Sequence, residues 1–173
     1  MPSHFREDVM KEFQIPFFGL KIGKHEFEFK LGKPFFEAFD TSEFEEGDII
    51  VDLELDKLSS MLVLDFTFKG SVTVPCDRCG ADLTIDVGGL DHWIVKYGEE
   101  DYEDTDDILV VSPTTHEIDV MQRIYEMVIL NLPNKRAHQN LSDCDQVVIA
   151  KLKTYQTAEE ETDPRWNALK KLK

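Results

Sequence analysis

The residues best suited to chemistry stand in the decapeptide VPCDRCGADL, residues 74–83. Cys76 and Cys79 are separated by two residues and followed by Gly80, and Cys144 is the third cysteine of the chain. A tight turn brings two cysteines at this spacing within reach of one metal ion, and a glycine after them accommodates a left-handed backbone. The spacing therefore indicates either half of a zinc site or a redox-active thiol pair.

The elements that flank the pair favour zinc. A thioredoxin-type pair lies where a strand enters a helix, whose N-terminus lowers the pKa of the first thiol. Alternating apolar residues predict a strand on each side of Cys76 and Cys79, which places them at a hairpin tip. Tetrahedral zinc needs four ligands, and His138 and Cys144 follow about sixty residues downstream. We predict a Cys3His zinc site; the alternative is that the three cysteines are ordinary turn and core residues.

Signals for an enzyme are weak elsewhere in the chain. The remaining histidines are scattered, and the sequence contains no nucleophile elbow, no glycine-rich phosphate loop and no His-Glu-x-x-His motif. We therefore predict a protein without catalytic residues. The alternative function is a zinc-dependent or thiol-redox enzyme built on Cys76 and Cys79.

Hydrophobic periodicity predicts the elements that hold the cysteines. Apolar and polar residues alternate within segments 27–31, 49–55, 62–68, 72–74, 83–87 and 93–97, with a turn expected at Lys69 and Gly70. Helical spacing runs from Met121 to Leu132, where Asp119 and Gln122 suit an N-terminal cap and Pro133 ends the pattern. Residues 147–153 form a short element of uncertain type, and the rest is a polar tail.

These patterns predict an α+β fold. We expect a strongly curved antiparallel β-sheet, either a sandwich or an open barrel, covered by one main α-helix and followed by a polar C-terminal tail. Residues 1–173 are expected to form a single domain, in which segments 1–20 and 154–173 are peripheral or tail-like.

Charge and hydropathy limit the partners. Nineteen Lys and Arg residues stand against thirty-five Asp and Glu residues, which gives a net charge of −16. This field repels a phosphate backbone and excludes a broad nucleic-acid coat. Segment 99–107 holds seven carboxylates and predicts a mobile loop or a contact for a basic partner. Since no apolar stretch suits a signal peptide or membrane span, we expect a cytoplasmic protein with reduced thiols and no membrane or small-molecule partner.

Three stretches in this order resemble the YceD family, the large ribosomal RNA subunit accumulation proteins. They are FTFKGSVTVPCDRCGADL, EIDVMQRIYEMVILNLPNKRAH and the closing DPRWNALKKLK, with an acidic spacer after the first and a cysteine after the second. The resemblance implies a non-catalytic cytoplasmic factor in large-subunit assembly, needed for the accumulation of large-subunit ribosomal RNA. It also implies that Arg78 and the cysteine pair form a functional knuckle.

The resemblance extends to the C-terminal residues, and within the role that it implies the charge of the chain suggests two kinds of partner. One is large-subunit ribosomal RNA, contacted locally, because the net charge opposes a broad contact. The residues expected at that contact are Arg78, Arg165, Trp166, Lys170, Lys171 and Lys173. The other is a basic ribosomal protein held by the acidic body. Trp166 either stacks on a base or packs on the sheet together with Leu169.

Overall fold

The computed structural model describes residues 9–39, 46–98 and 107–155. Its strands are β1 (Gln14–Ile15), β2 (Gly23–Leu31), β3 (Glu46–Lys57), β4 (Met61–Pro75), β5 (Asp82–Tyr97), β6 (Ile108–Val111) and β7 (Ile118–Asp119). Its helices are α1 (Lys33–Glu37), α2 (Met121–Leu130) and α3 (Gln146–Tyr155), with a 3-10 turn at Leu141–Asp143. The predicted α+β class is confirmed.

The main sheet has five strands in the order β2-β3-β4-β5-β6, and β1 pairs with β7 in a separate two-stranded sheet. Strands β2 to β5 are antiparallel, but β6 runs parallel to β5, with Ile108 opposite Ile94. The prediction of a purely antiparallel sheet is therefore wrong at β6, because a four-residue strand carries no pattern that reveals its direction. The sheet is not closed into a barrel. Its strong curvature stays a prediction.

The core lies on one face of this sheet, as the period-two pattern predicts. The alternate residues of β3 and β4 are buried: Ile49, Val51, Leu53, Leu55, Leu62, Leu64, Phe66 and Phe68. Burying such a side chain contributes about 1.5–3 kcal/mol. A shift of one residue in the pairing would turn all of them toward solvent, so this pattern also fixes the register.

The turn expected at Lys69 and Gly70 is wrong, because β4 continues without interruption through both residues. Gly70 lies between Ile49 of β3 and Val87 of β5. A Cβ atom at Gly70 would stand 2.2 Å from the carbonyl oxygen of Asp48. The glycine is thus required by the close approach of two strands rather than by a turn.

The first described segment contributes to the core. Val9, Phe13, Ile15 and Phe17 are all buried, and Phe13 stacks on Phe29 with ring centroids 5.3 Å apart. The predicted domain boundaries stay a prediction, but these four side chains belong to the core, while Met10, Lys11, Glu12 and Pro16 between them are exposed. The loop that follows is held by Lys57, whose Nζ donates hydrogen bonds to three backbone carbonyls, those of Phe17 at 2.9 Å, Phe18 at 3.2 Å and Leu20 at 2.9 Å.

Two helices of ten residues are described where one main helix was expected. Helix α2 covers the sheet with Met121, Ile124, Met127 and Val128. The expected acceptor at its N-terminus is present, since Asp119 Oδ1 accepts a bond from the Met121 amide at 2.8 Å, whereas Gln122 donates to Glu126. Helix α3 replaces the short uncertain element at 147–153 and buries Ile149. Among the residues that the structure describes, no helix is long and apolar enough to cross a membrane.

Candidate metal centre

The tip of the β4–β5 hairpin holds the first two candidate ligands. The two strands are still paired at Pro75 and Asp82, and residues 76–81 form the turn between them. The Cys76 amide donates to the Ala81 carbonyl and the Gly80 amide donates to the Cys76 carbonyl, both at 2.8 Å. Gly80 has a φ of 73°, which favours glycine. The predicted hairpin-tip position of Cys76 and Cys79 is confirmed.

Asp77 joins this turn to the downstream segment. Its amide donates to the Arg136 carbonyl at 2.7 Å, and its Oδ2 accepts a bond from the Arg136 amide at 2.6 Å. The Arg136 guanidinium lies 3.9 Å from the same carboxylate. Because His138 follows two residues later, this reciprocal contact brings its ring to the cysteines. Sequence reasoning missed this role of Asp77, since a short acidic residue in a turn has no distinctive spacing.

The fourth candidate ligand, Cys144, lies between the 3-10 turn and helix α3. Asp145 follows it and caps the helix, since its Oδ1 accepts bonds from the amides of Val147 at 2.8 Å and Val148 at 3.3 Å. An Asp in this position satisfies amides that the first helical turn leaves without partners. The cap and the buried Ile149 fix the start of α3, and with it the direction in which the Cys144 side chain points.

The four side chains meet in one cluster. The ligand atoms of Cys76, Cys79, His138 and Cys144 all lie within 4.8 Å of one another. His138 Nδ1 is 3.7 Å from the Cys79 sulfur and 3.8 Å from the Cys144 sulfur. Tetrahedral zinc with bonds of about 2.3 Å to sulfur and 2.0–2.1 Å to nitrogen separates its ligand atoms by about 3.5–3.8 Å. The set of residues predicted from sequence is therefore close enough to bind a metal ion.

The surroundings of the cluster stabilise negative charge at one sulfur. Burial disfavours the Cys76 thiolate, but hydrogen bonds from the backbone of Arg78, His138 and Cys79 and from the His138 side chain outweigh it and lower the pKa of Cys76 to about 6. Burial raises the pKa of Cys144, and Cys79 adds to that increase. Arg78 opposes it, because its guanidinium lies 3.6 Å from the Cys144 sulfur. The cluster thus favours the charged form of Cys76 and places a cation beside Cys144.

The cluster has its own small apolar environment. Cys76, Cys79, Cys144 and Ile149 are buried together, with Ala81, Leu83, Ala137 and Val148 packed around them, and this group is separate from the main core. We call residues 76–81 together with 133–155 the cysteine lobe. Its packing consists of few side chains, so a bound ion would supply much of its cohesion.

The other predicted contact residues are placed only in part. Arg78 lies in the cysteine lobe, where it faces Cys144. Arg165, Trp166, Lys170, Lys171 and Lys173 lie outside the described residues, as does most of the acidic segment, residues 99–106. Their predicted roles stay predictions.

The fold and the cluster together define a small α+β protein with a metal-type knuckle at a hairpin tip. A family model described as Large ribosomal RNA subunit accumulation protein YceD matches residues 64–173, which include all four members of the cluster. Since the match covers more than half of the chain, this protein belongs to the YceD family. No curated protein and no solved structure matches it. The name of the family points to a role in the accumulation of large-subunit ribosomal RNA.

Proposed function

We propose that this chain is a non-catalytic cytoplasmic factor that assists large-subunit assembly by holding a basic ribosomal protein. Family membership supports the place of action, and the net charge of −16 supports the type of partner. Ribosomal proteins carry positive charge because they pack against RNA phosphates. An acidic factor would attract such a protein electrostatically, which speeds the encounter and makes it sensitive to salt.

The observation that carries this proposal is a row of like charges across the outer face of the sheet. Glu26, Glu54 and Asp65 lie directly opposite one another on β2, β3 and β4, and Glu28 lies opposite Asp52 in the next row. Like charges placed directly opposite destabilise a sheet by about 0.2–1 kcal/mol per pair. Lys24 and His92 offset part of this repulsion by pairing with Glu54 and Asp65. A basic protein surface would relieve the rest.

We further propose that the cysteine lobe holds a structural zinc ion through Cys76, Cys79, His138 and Cys144. When bound, zinc would crosslink the hairpin tip to the segment that precedes α3. Three thiolates and one neutral imidazole leave a charge of −1 on such a site, which the Arg78 guanidinium is placed to balance. Four protein ligands complete a tetrahedron and leave no position for a substrate, which argues against a zinc-dependent or thiol-redox enzyme.

Local contact with ribosomal RNA is the second candidate function. Its support is the C-terminal sequence, since residues 165–173 hold four cationic residues and no carboxylate in a strongly acidic chain. Arg165, Lys170, Lys171 and Lys173 would neutralise phosphates, and Trp166 would stack on a base. This contact would be lost at high salt together with the contact to a basic protein, so salt alone does not separate the two.

A capture experiment with matched variants separates them. The protein is incubated with a lysate of cells that lack it, at low and high salt, and both the bound RNA and the bound proteins are identified. Changing Glu26 and Glu54 to Gln and Asp65 to Asn should reduce recovery of basic ribosomal proteins at low salt. The same charge change at Glu12, Glu117 and Asp143, exposed carboxylates that do not lie on this face, is the control and should leave recovery nearly unchanged.

The same variants test the role in cells. Cells that lack the protein should contain less large-subunit than small-subunit ribosomal RNA, and the control variant should restore the ratio better than the outer-face variant. Recovery of large-subunit RNA without ribosomal proteins would overturn the proposal of protein capture and favour the second candidate. A normal ratio of the two RNAs in cells that lack the protein would overturn the role in assembly.

A further inference from the structure

A groove runs beside helix α2, on the side where the helix faces β5 and β6. Its volume is about 970 Å³. The apolar side chains that line it are Trp93, Ile108, Leu109, Tyr125, Met127, Ile129 and Leu130. Small-molecule pockets have volumes of about 300–1,000 Å³, so the groove has room for more than one bulky side chain. We call it the α2 groove.

Helix α2 is apolar on more than the side that covers the core. Its buried residues pack on the sheet, and Tyr125 and Ile129, one helical turn apart, pack partly against the same core while the rest of their surface lines the groove. Leu130 also faces the groove and is 83% exposed. A surface helix normally shows one apolar stripe and a polar remainder. The exposed Leu130 beside these half-buried side chains indicates an apolar surface that another chain covers.

The edge of the groove is acidic. Asp107, Asp119 and Glu126 line it and are exposed. The cation of the groove, Arg123, is engaged with Asp91, since its Nε and one terminal nitrogen lie 2.6 Å and 2.9 Å from the two carboxylate oxygens. Its guanidinium also lies 5.8 Å from the centre of the Trp93 ring. The charge that the groove presents to a partner is therefore negative.

We propose that the α2 groove binds an amphipathic helical segment of a basic protein partner. Leucine-like side chains one turn apart on that segment would fill the apolar floor, and its Lys or Arg residues would pair with the acidic edge. RNA does not fit, because the carboxylates repel phosphates. A second copy of this chain does not fit either, because each copy carries a charge of −16. The inference rests on the proposed function only for the identity of the natural partner.

A defined peptide tests the groove directly. The probe is a 14-residue helical peptide of leucine and lysine, with its leucines at i, i+3 and i+4 spacing. In a Trp166→Phe background Trp93 is the remaining tryptophan, so its fluorescence reports on the floor of the groove. We expect a saturable shift of Trp93 emission with the peptide and no shift with a peptide in which alanine replaces every leucine.

Two matched pairs of variants locate the binding. Leu130→Ser should weaken binding about tenfold, which corresponds to the loss of one partly buried leucine contact. Leu90→Ser is the control, since Leu90 is 77% exposed on the other face of the sheet and should have no effect. Glu126→Gln should weaken the dependence of binding on salt, whereas Asp86→Asn should not. Both pairs change exposed side chains, so the fold is expected to survive, which circular dichroism checks.

The outcomes separate this proposal from the proposed function. Two results would overturn the proposal that the α2 groove binds a helical segment: equal affinities of the Leu130 and Leu90 variants for the peptide, or the same shift of Trp93 emission with the alanine peptide as with the leucine peptide. Neither result would contradict the role in assembly. If a fragment of large-subunit RNA shifts Trp93 emission and Leu130→Ser abolishes that shift, the occupant is RNA and the proposal is wrong. If the probe binds only after residues 156–173 are removed, and a peptide of those residues competes with it, the chain's own terminus is the occupant and the proposal of an external partner is overturned.

Discussion

Removal of the proposed zinc should unfold the cysteine lobe while the sheet stays folded. The reason is that the buried side chains of the lobe form a cluster of their own, apart from the main core. Without an ion, the reciprocal contacts between Asp77 and Arg136 and the packing of Ile149 are left to hold α3 against the hairpin tip. These contacts are too few to order the segment 133–155.

The magnitudes indicate which interaction dominates. Ile149 is the buried aliphatic side chain of the lobe within the described residues, and its burial contributes about 1.5–3 kcal/mol. A structural zinc site in a small module contributes about 10–16 kcal/mol at pH 7. The Ile149 amide donates to the Asp145 carbonyl at 3.0 Å and so reports on the first turn of α3. Loss of even about 3 kcal/mol should speed its hydrogen exchange about a hundredfold.

The assay is hydrogen exchange with and without a strong zinc chelator, with the metal content measured in parallel. The Ile149 amide should lose protection on chelation and regain it when zinc is added, whereas the amide of Leu53 in the centre of the sheet should not change. Cys144→Ser should reproduce the effect without chelator, and Ser142→Ala, an exposed change two residues away, is its control. Unchanged protection of Ile149 after complete removal of the metal would refute the reasoning. So would a purified protein with less than about a tenth of an equivalent of zinc.

Three further predictions concern stability, and denaturant unfolding measures the first two. Lys57→Met should lower the free energy of unfolding by about 1–2 kcal/mol, because a charged donor to three loop carbonyls is lost. The control Lys30→Met removes an exposed ion pair and should lower it by less than about 0.5 kcal/mol. Equal losses in the two variants would contradict the role of Lys57. Gly70→Ala should lower the free energy of unfolding by about 1–3 kcal/mol, because its Cβ would meet the neighbouring strand. Gly19→Ala is the control, since a Cβ atom at Gly19 would meet open space. Similar stabilities of the two variants would contradict the close approach of the strands at Gly70. In the folded lobe the pKa of Cys76 is lowered from 9.0 to about 6, so in metal-free protein the fraction of lobe that stays folded should be largest above pH 9 and should decrease as the pH falls to 6. Circular dichroism of the helical signal of α3 measures this fraction; a flat profile between these pH values in wild type, matching that of Cys76→Ser, would contradict this.

The metal cluster could be predicted from the sequence because it depends on residue types. Two cysteines at this spacing, followed by a glycine and flanked by strands, indicate a zinc site or a redox pair. Cys144 and His138, downstream of the hairpin, supply the further sulfur and nitrogen that a zinc site needs. The reciprocal contact between Asp77 and Arg136 could not be predicted, because hydrogen bonds to the backbone depend on how two segments distant in sequence meet in the fold. Sequence reasoning therefore brought together the four candidate ligands but did not show what positions them.

The strands were predictable for a similar reason. Period-two alternation identified the buried faces of β3 and β4, since each residue on one face must be apolar. Alternation says nothing about strand direction or about close approach of backbones, so the parallel strand β6 was not predicted and Gly70 was assigned to a turn. The sequence shows the carboxylates of the outer face as single residues, but it does not show that they form rows. Only the register between the strands places Glu26, Glu54 and Asp65 side by side.

The distribution of charge decides how two different contacts could coexist on one small protein. Within the described residues, the cysteine lobe carries five cationic side chains against three carboxylates, and it stays slightly positive even with a charge of −1 on the proposed zinc site, although the whole chain has a charge of −16. The outer face of the sheet and the edge of the α2 groove carry the opposite sign. At a Debye length of about 8 Å in physiological salt, surfaces farther apart than this act almost independently. A phosphate is therefore repelled less at the lobe than at the sheet, so a local RNA contact through Arg78 and the basic terminus is compatible with a basic protein held elsewhere.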